Sequence, residues 1–182
     1  MIRVGVVRGG WGDEYQVSIE TGASVLRQLP DDHVGVDILI DREGEWHANG
    51  VPVNPDEFKM RVDVAFNALH GIHGEDGRVA QIFENLGVPY TGSTSVPSSL
   101  AVNKVLGKQA FKRAGIKTPP GMTVEDYRES TFAPEARAEK ARELAEKVFQ
   151  TISPPWVVKP ARGGSSIGTE VEIGRASCRE RV

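Results

Sequence analysis

Short β-branched runs and segments of helical periodicity take turns from Met1 to Gly115, with glycine at most of the junctions. Ile2 to Val7 has Arg3 as its only charge and leads to Gly9-Gly10, the pattern of a buried strand entering a tight turn. Ile19, Gly22, Leu26 and Leu29 then recur at helical spacing until Pro30 stops them. Val34 to Ile40 predicts a second strand, and "EWHANGVPV" places two short runs around Asn49-Gly50, a two-residue hairpin signal suited to a sheet edge. Val62 to Leu69 predicts a third buried strand. After the loop "HGIHGEDG" comes a helix carrying Val79, Ile82, Phe83 and Leu86 on one face and closed by Gly87. "VPYTG" predicts a fourth strand, and Leu100, Asn103, Gly107, Phe111 and Ala114 mark the inner face of one further helix, closed by Gly115. Strands alternating with helices imply a parallel sheet with right-handed crossovers, an α/β architecture that collects ligands at the carboxyl ends of its strands. Both "RGGWGDE" and "HGIHGEDG" fall at that edge.

After "KTPPG" the composition changes. A charged helix is predicted from about Pro134 to Ile152, with Ala141, Leu144, Ala145, Val148 and Ile152 inward, followed by the strand "WVVKP". This reads as the opening of a second domain, and one helix with barely two strands is too little to bury a core of its own.

The totals exclude several classes of function. The chain has 182 residues, 39% hydrophobic, with a net charge of −3 and four scattered histidines, so no basic stripe suits nucleic acid and no nucleic-acid partner is expected. "MIRVGVVRGG" is too short an apolar run for a secretory signal or a membrane span, which predicts a cytoplasmic protein with no membrane partner. The single cysteine, Cys178, leaves the body of the chain without disulfides or a thiol for metal or nucleophilic work.

Three stretches carry groups suited to chemistry. "VVKPARGGSSIG" offers Lys159 at a strand end, then mobile backbone donors and the hydroxyls of Ser165 and Ser166, a combination that suits polyphosphate. It lacks the Lys-Ser/Thr pair of a P-loop, and a plain hairpin loop explains it equally well. In "NALHGIHGEDG" glycines serve the turn, Asp76 serves as an N-cap and Glu75 sits near a helix start; His70 at the strand end has no such explanation. His70, His73 and Glu75 do not make a clear metal set, since the histidine pair lies on a loop without a third evident ligand. Glu14 in "RGGWGDEYQVS" is either a cap or a carboxylate at the ligand edge, ready for an ammonium group. Lys104, Lys108 and Lys112 share one helix face, and spacing gives none of them a role.

Together, "RGGWGDEYQVSIETG", "NALHGIHGEDG", "VPYTGS", "NKVLGKQAFKRAGIKTP" and "VVKPARGGSSIG", in this order, resemble the D-alanine–D-alanine ligase family of ATP-grasp enzymes from Val4 to about Gly168. The resemblance implies an open, mostly parallel, Rossmann-like sheet that precedes an incomplete ATP-grasp α+β domain. Residues 1–99 would be the N-terminal substrate-binding domain and 100–172 the first part of the ATP-grasp domain. It implies ATP-dependent joining of two D-alanines through an acyl phosphate, for peptidoglycan and cell-wall biogenesis and hence cell shape. The expected ligands are D-alanine, ATP and Mg2+. Glu14 would hold the ammonium of the first D-alanine, His70 would lie beside its carboxylate, and Ser165 would bond Glu14 and close a loop over the site. Lys104, Lys159 and Ser166 would meet the phosphates of ATP. The magnesium ligands of the family lie beyond this chain, so no metal ligand is expected within it, and the 182 residues alone are expected to be inactive. A homodimer is compatible with the resemblance.

Some positions depart from the family. Trp11-Gly12 stands where smaller polar residues are usual, Asn103 where aspartate is frequent, and Gly163 in place of a common acid. "EIGRASCRERV" resembles the translation of a synthetic sequencing adapter, so Ile173 to Val182 is expected to be foreign. Two other readings fit the residues: an ATP-grasp ligase using a different amino acid, and a non-catalytic module sensing a nucleotide or amino acid on the same sheet.

Overall fold

The computed structural model describes residues 1–124 and 133–172. Ile173 to Val182, expected to be foreign, and Cys178 with them, lie outside the described residues. The chain divides into two compact units, Met1–Gly107 with Arg162–Ser165, and Lys108–Ala161 with the residues from Ser166 onward.

The first unit is built on β1 (Ile2–Gly9), α1 (Tyr15–Gln28), β2 (His33–Ile40), β3 (Trp46–Ala48), β4 (Val51–Pro52), α2 (Phe58–Arg61), β5 (Val64–Asn67), α3 (Arg78–Leu86) and α4 (Ser95–Val102). The sheet order is β4-β3-β2-β1-β5. β1 is central because it pairs in parallel on both sides, with Ile2 opposite His33 and Val4 opposite Val64. That position explains the uncharged run Val4 to Val7 between Arg3 and Arg8, and it leaves Val6 and Val7 fully buried.

Alternation along β1 sorts its residues between two layers. Val4 and Val6 pack with Ala68 against Val25, Leu26 and Leu29 of the α1 layer. Val7 joins Phe58, Phe83, Trp46 and Ile38 on the opposite face. There Phe58 and Phe83 stack at 5.4 Å, with Trp46 edge-on to Phe58 at 5.8 Å. Burial of each such ring contributes roughly 1.5–3 kcal/mol, and the aromatic geometry adds about 0.5–1.5. Gly5 makes this packing possible, since a Cβ there would stand 2.7 Å from Val62 Cγ1. Arg8 ties β1 to β2 through a two-pronged bond with Asp37, 2.7 Å on each prong.

The hairpin expected at Asn49-Gly50 joins β3 to β4, and both residues adopt positive φ, as a type I′ turn requires. Gly87 closes α3 at φ 64°. Three expectations are corrected. "VPYTG" is not a full strand: its backbone meets β5 through Pro89 O and Thr91 N on either side of Ala65, a single parallel bridge at Tyr90, and the Thr91 hydroxyl accepts from Asn67 N–H at 3.0 Å. The helix expected over Leu100 to Ala114 is two, α4 and α5 (Lys104–Arg113), because Asn103 is extended (ψ 103°) and its side chain accepts from the N–H groups of Val105 and Leu106. Of the residues placed on its inner face, Gly107 is buried while Leu100 and Phe111 stay exposed. Asp76 does not occupy the N-cap of α3; Gly77 does, at φ 90°, and Asp76 accepts from Arg78 N–H at 3.1 Å.

The second unit contains α6 (Pro134–Thr151) and the antiparallel pair β6 (Trp156–Val158) and β7 (Glu170–Glu172). Ala141, Leu144, Val148 and Ile152 are half-buried and Ala145 is exposed, so the predicted inward stripe of α6 forms no fully buried layer. Trp156 holds β6 to the helix end, packing edge-on to Phe149 at 5.8 Å and donating to Ile152 O at 2.8 Å.

Candidate functional site

Parallel pairing of β1 and β5 brings their carboxyl ends side by side, and the loops that follow deliver the site. One buried side chain fastens that edge. Ser18, fully buried on α1, accepts from Gly9 N–H at 2.8 Å and donates to Ala68 O at 2.8 Å, so a single hydroxyl joins the helix to both strand ends. One turn earlier on α1 is Glu14, and one turn later Thr21.

Glu14 occupies the N-cap position of α1 but makes no capping bond with its side chain. Its carboxylate is turned instead toward the strand edge, where it accepts from the Ser165 hydroxyl. This choice between cap and ligand-edge carboxylate is settled by backbone space: Gly71, at φ 68°, has no Cβ, and one there would run into the Glu14 carboxylate. Burial raises the Glu14 pKa above the ordinary glutamate value, the charge of Glu75 raises it further, and His70 opposes the shift. A carboxylate in that state gains from a cation placed beside it.

His70 follows β5 in the same loop. Its Nε2 lies 3.0 Å from Thr21 Oγ1, and its Nδ1 is 3.8 Å from Glu75 Oε1. Asn67 shapes the loop by donating to Gly74 O at 3.1 Å while its carbonyl oxygen accepts from Leu69 N–H at 3.2 Å. His73 turns elsewhere. Its ring lies 4.8 Å from that of Trp11, and its Nδ1 is 2.8 Å from an Arg78 nitrogen.

The segment Arg162–Ser165 belongs to the same unit and lies over these loops. A Cβ on Gly164 would stand 3.4 Å from Glu75 Oε2 and 3.7 Å from Glu14 Oε2. Lys104 Nζ donates to Gly163 O at 2.8 Å, which distinguishes Lys104 from the other lysines of its stripe. A cleft of about 430 Å³ is lined by Glu75, Ser93, Ser98, Ala101, Lys104 and Gly163. Behind it Glu84 accepts from Ser95 N–H (2.8 Å), Ser95 Oγ (2.6 Å) and Tyr90 Oη (2.7 Å), which ties the start of α4 and the "YTGS" segment to α3. Burial and the Glu84 bond push the Tyr90 phenol up to about 12.

Of the sequence-predicted residues, Glu14, His70, Ser165 and Lys104 therefore lie within one unit, with Glu14 bonded to Ser165 and Lys104 to the same short segment. Lys159 and Ser166 belong to the second unit. Lys159 is exposed just past β6, and Ser166, like Ser165, has a positive φ, a backbone state that non-glycine residues adopt at an energetic cost. Sequence reasoning missed Ser18, Thr21 and Gly71. Ser18 and Thr21 were present as hydroxyls inside helical spacing and Gly71 as one of several loop glycines, yet nothing in the sequence says which group each would meet.

The site can hold a small zwitterion. Glu14 and Glu75 offer negative charge for an ammonium group, while Lys104 and a protonated His70 offer donors for anionic oxygens; the Ser165 proton is given to Glu14. Among the described residues, one group, Asp41, Glu45 and His47, places three possible metal ligands within 4.8 Å. With a nitrogen donor in the set it does not match the all-oxygen preference of magnesium.

Residues 47–93 match the family described as D-ala D-ala ligase N-terminus. Over 176 residues the chain is 39% identical to a D-alanine–D-alanine ligase from Geotalea uraniireducens (strain Rf4), covering 93% of this chain and 47% of that one. A D-alanine–D-alanine ligase from Bacillus anthracis, solved in complex with ATP, is 27% identical with a TM-score of 0.64, over 97% of this chain and 52% of the other. A D-Ala:D-Ser ligase from Enterococcus faecalis shares the fold at a TM-score of 0.75 and 24% identity, over 98% of this chain and 57% of its own. The chain spans about half the length of the curated relatives it matches.

Proposed function

We propose that this chain, which belongs to the D-alanine–D-alanine ligase family, is the first half of an ATP-dependent ligase that joins two D-alanines for peptidoglycan synthesis. The observation that carries the reading is the bond from Ser165, in the "GGSSIG" loop, to Glu14 at the edge of the parallel sheet, beside His70. Two stretches 151 positions apart meet at a carboxylate whose pKa burial and the charge of Glu75 raise.

In this reading Glu14 receives the ammonium of the first D-alanine and His70 stands beside its carboxylate. That carboxylate attacks the γ-phosphorus of ATP and ADP leaves. The amine of the second D-alanine then attacks the acyl carbon, phosphate departs with the C–O electron pair, and the amine loses a proton. Lys104, Lys159, Ser166 and the glycine backbone of the loop lie along the phosphates, where fixed cations and donors lower the barrier by matching charge that builds on the transferring group. Ser165 latches the loop to Glu14 and keeps water from the acyl phosphate. Magnesium, when bound, neutralises phosphate charge; the described residues offer no suitable oxygen cage, and its ligands belong to the remainder of the parent protein. Residues 1–99 supply the substrate-binding domain and 100–172 the opening of the ATP-grasp domain. The cytoplasm, where ATP is available, is the proposed location, and cell shape depends on the product through the wall.

Glu14→Gln in the full-length protein tests the reading. Loss of one charge-assisted contact predicts a fall of about 10- to 100-fold in kcat/KM for D-alanine, with KM for ATP unchanged. Unaltered D-alanine kinetics would remove Glu14 from the substrate site.

A further inference from the structure

His70 has an imidazole with two nitrogens, and which one carries the proton decides what the ring can do. The neighbouring hydroxyl of Thr21 resolves the choice. Thr21 Oγ1 lies 2.9 Å from Val17 O on its own helix and 3.0 Å from His70 Nε2. A threonine hydroxyl has one proton and two lone pairs. If the proton went to Nε2, the oxygens of Thr21 and Val17 would face each other at 2.9 Å with lone pairs on both sides and no hydrogen between them. If the proton goes to the Val17 carbonyl, as threonines in helices commonly direct it, Oγ1 has a lone pair left and Nε2–H donates to it. Only the second arrangement makes both contacts attractive.

We propose that Thr21 is a positioning residue that holds His70 with its proton on Nε2, making Nδ1 the nitrogen that gains or releases a proton. The functional part of this inference rests on the ligase reading; the tautomer does not. The competing pull is identifiable. Glu75 Oε1, 3.8 Å from Nδ1, would accept a proton carried there, and Glu14 is close enough for His70 to draw its pKa down. Without the Thr21 hydroxyl Glu75 favours Nδ1–H, and the ring is free to turn toward it. With it, the ring is anchored at one end, and Nδ1 can donate to a ligand carboxylate beside Glu14 once it has taken up a proton.

The test is nitrogen-resolved NMR of the His70 imidazole in the 182-residue chain, above the pH at which the ring loses its second proton. The expected result is a protonated-type Nε2 and a bare-type Nδ1. Thr21→Val, which keeps the shape and removes the hydroxyl, should shift the Nδ1 signal toward the protonated value, and Thr21→Ser should restore the original pattern. Backbone amide spectra that match the wild type away from His70 show that Thr21→Val folds. A protonated Nδ1 in the unaltered chain, or a Thr21→Val pattern identical to wild type, overturns the proposal. In the full-length protein Thr21→Val should raise KM for D-alanine by about three- to tenfold, the effect of one lost hydrogen bond, leave KM for ATP unchanged, and be rescued by Thr21→Ser. An altered nitrogen pattern with an unaltered D-alanine KM would keep Thr21 as the anchor of the ring and overturn the placement of His70 beside the substrate.

Discussion

Ser18→Ala should weaken the first unit out of proportion to the single atom it removes. The hydroxyl is fully buried and has two partners, Gly9 N–H and Ala68 O, each at 2.8 Å. Alanine fits the space but strands a buried donor at the end of β1 and a buried acceptor just past β5. Each stranded group costs about 1–3 kcal/mol, so a loss of about 2–6 kcal/mol is expected for the pair. With a urea dependence of about 2 kcal/mol per molar, ordinary for a small protein, the unfolding midpoint should fall by about 1–3 M. Ser24→Ala is the control: on the same helix, Ser24 accepts only from the exposed Gln28 amide, and its removal should stay within about 0.5 kcal/mol of wild type. Amide exchange should also accelerate at Gly9 and around Ala68, because the hydroxyl joins α1 to both strand ends. A Ser18→Ala midpoint indistinguishable from that of Ser24→Ala would refute the reasoning, since it would mean that the two backbone groups find other partners at no cost.

Two further outcomes follow from named contacts. Asp63 accepts from the guanidinium and the N–H of Arg3, which lower its pKa to about 2. A depressed carboxylate stabilises the fold above its unfolded pKa of about 4, and the benefit is lost as pH falls toward 2; an NMR titration of Asp63 should show that midpoint, and Arg3→Ala, which removes the guanidinium and keeps the N–H, should raise it part of the way to the ordinary aspartate range. Lys104→Met removes the bond to Gly163 O, and in the full-length protein it should raise KM for ATP by about tenfold while moving KM for D-alanine much less; equal effects on both would contradict a role at the phosphates.

The parallel sheet was legible in the sequence because burial on both faces leaves a mark that needs no partner to be read. Ile2 to Val7 could hardly be anything other than a central strand, and Asn49-Gly50 requires the positive φ values that make its turn. The errors fell where tertiary contacts decide. "VPYTG" has strand composition, yet its length is spent on Tyr90 reaching Glu84 and on a single bridge to Ala65. Asn103 sits in spacing that reads as one helix, but its amide oxygen competes with the helical backbone and starts a new helix instead. In the site, Glu14 was visible as a carboxylate in a glycine loop, and the resemblance supplied a partner for it. Its release from capping depends on the missing side chain of Gly71, a negative feature that spacing does not reveal. Ser18 and Thr21 illustrate the same limit: a hydroxyl on an apolar helix face announces a bond without naming the atom that receives it.

The central claim is that the glycine loops around Glu14, His70 and Ser165 serve a D-alanine ligase. Its most direct test is ADP release by the full-length protein, measured across D-alanine, L-alanine, D-serine and other amino acids with ATP and magnesium. The account predicts release that depends on D-alanine and yields D-alanyl-D-alanine. Equal or greater turnover with a different amino acid, or ligand binding with no ADP formed from any of them, would contradict it.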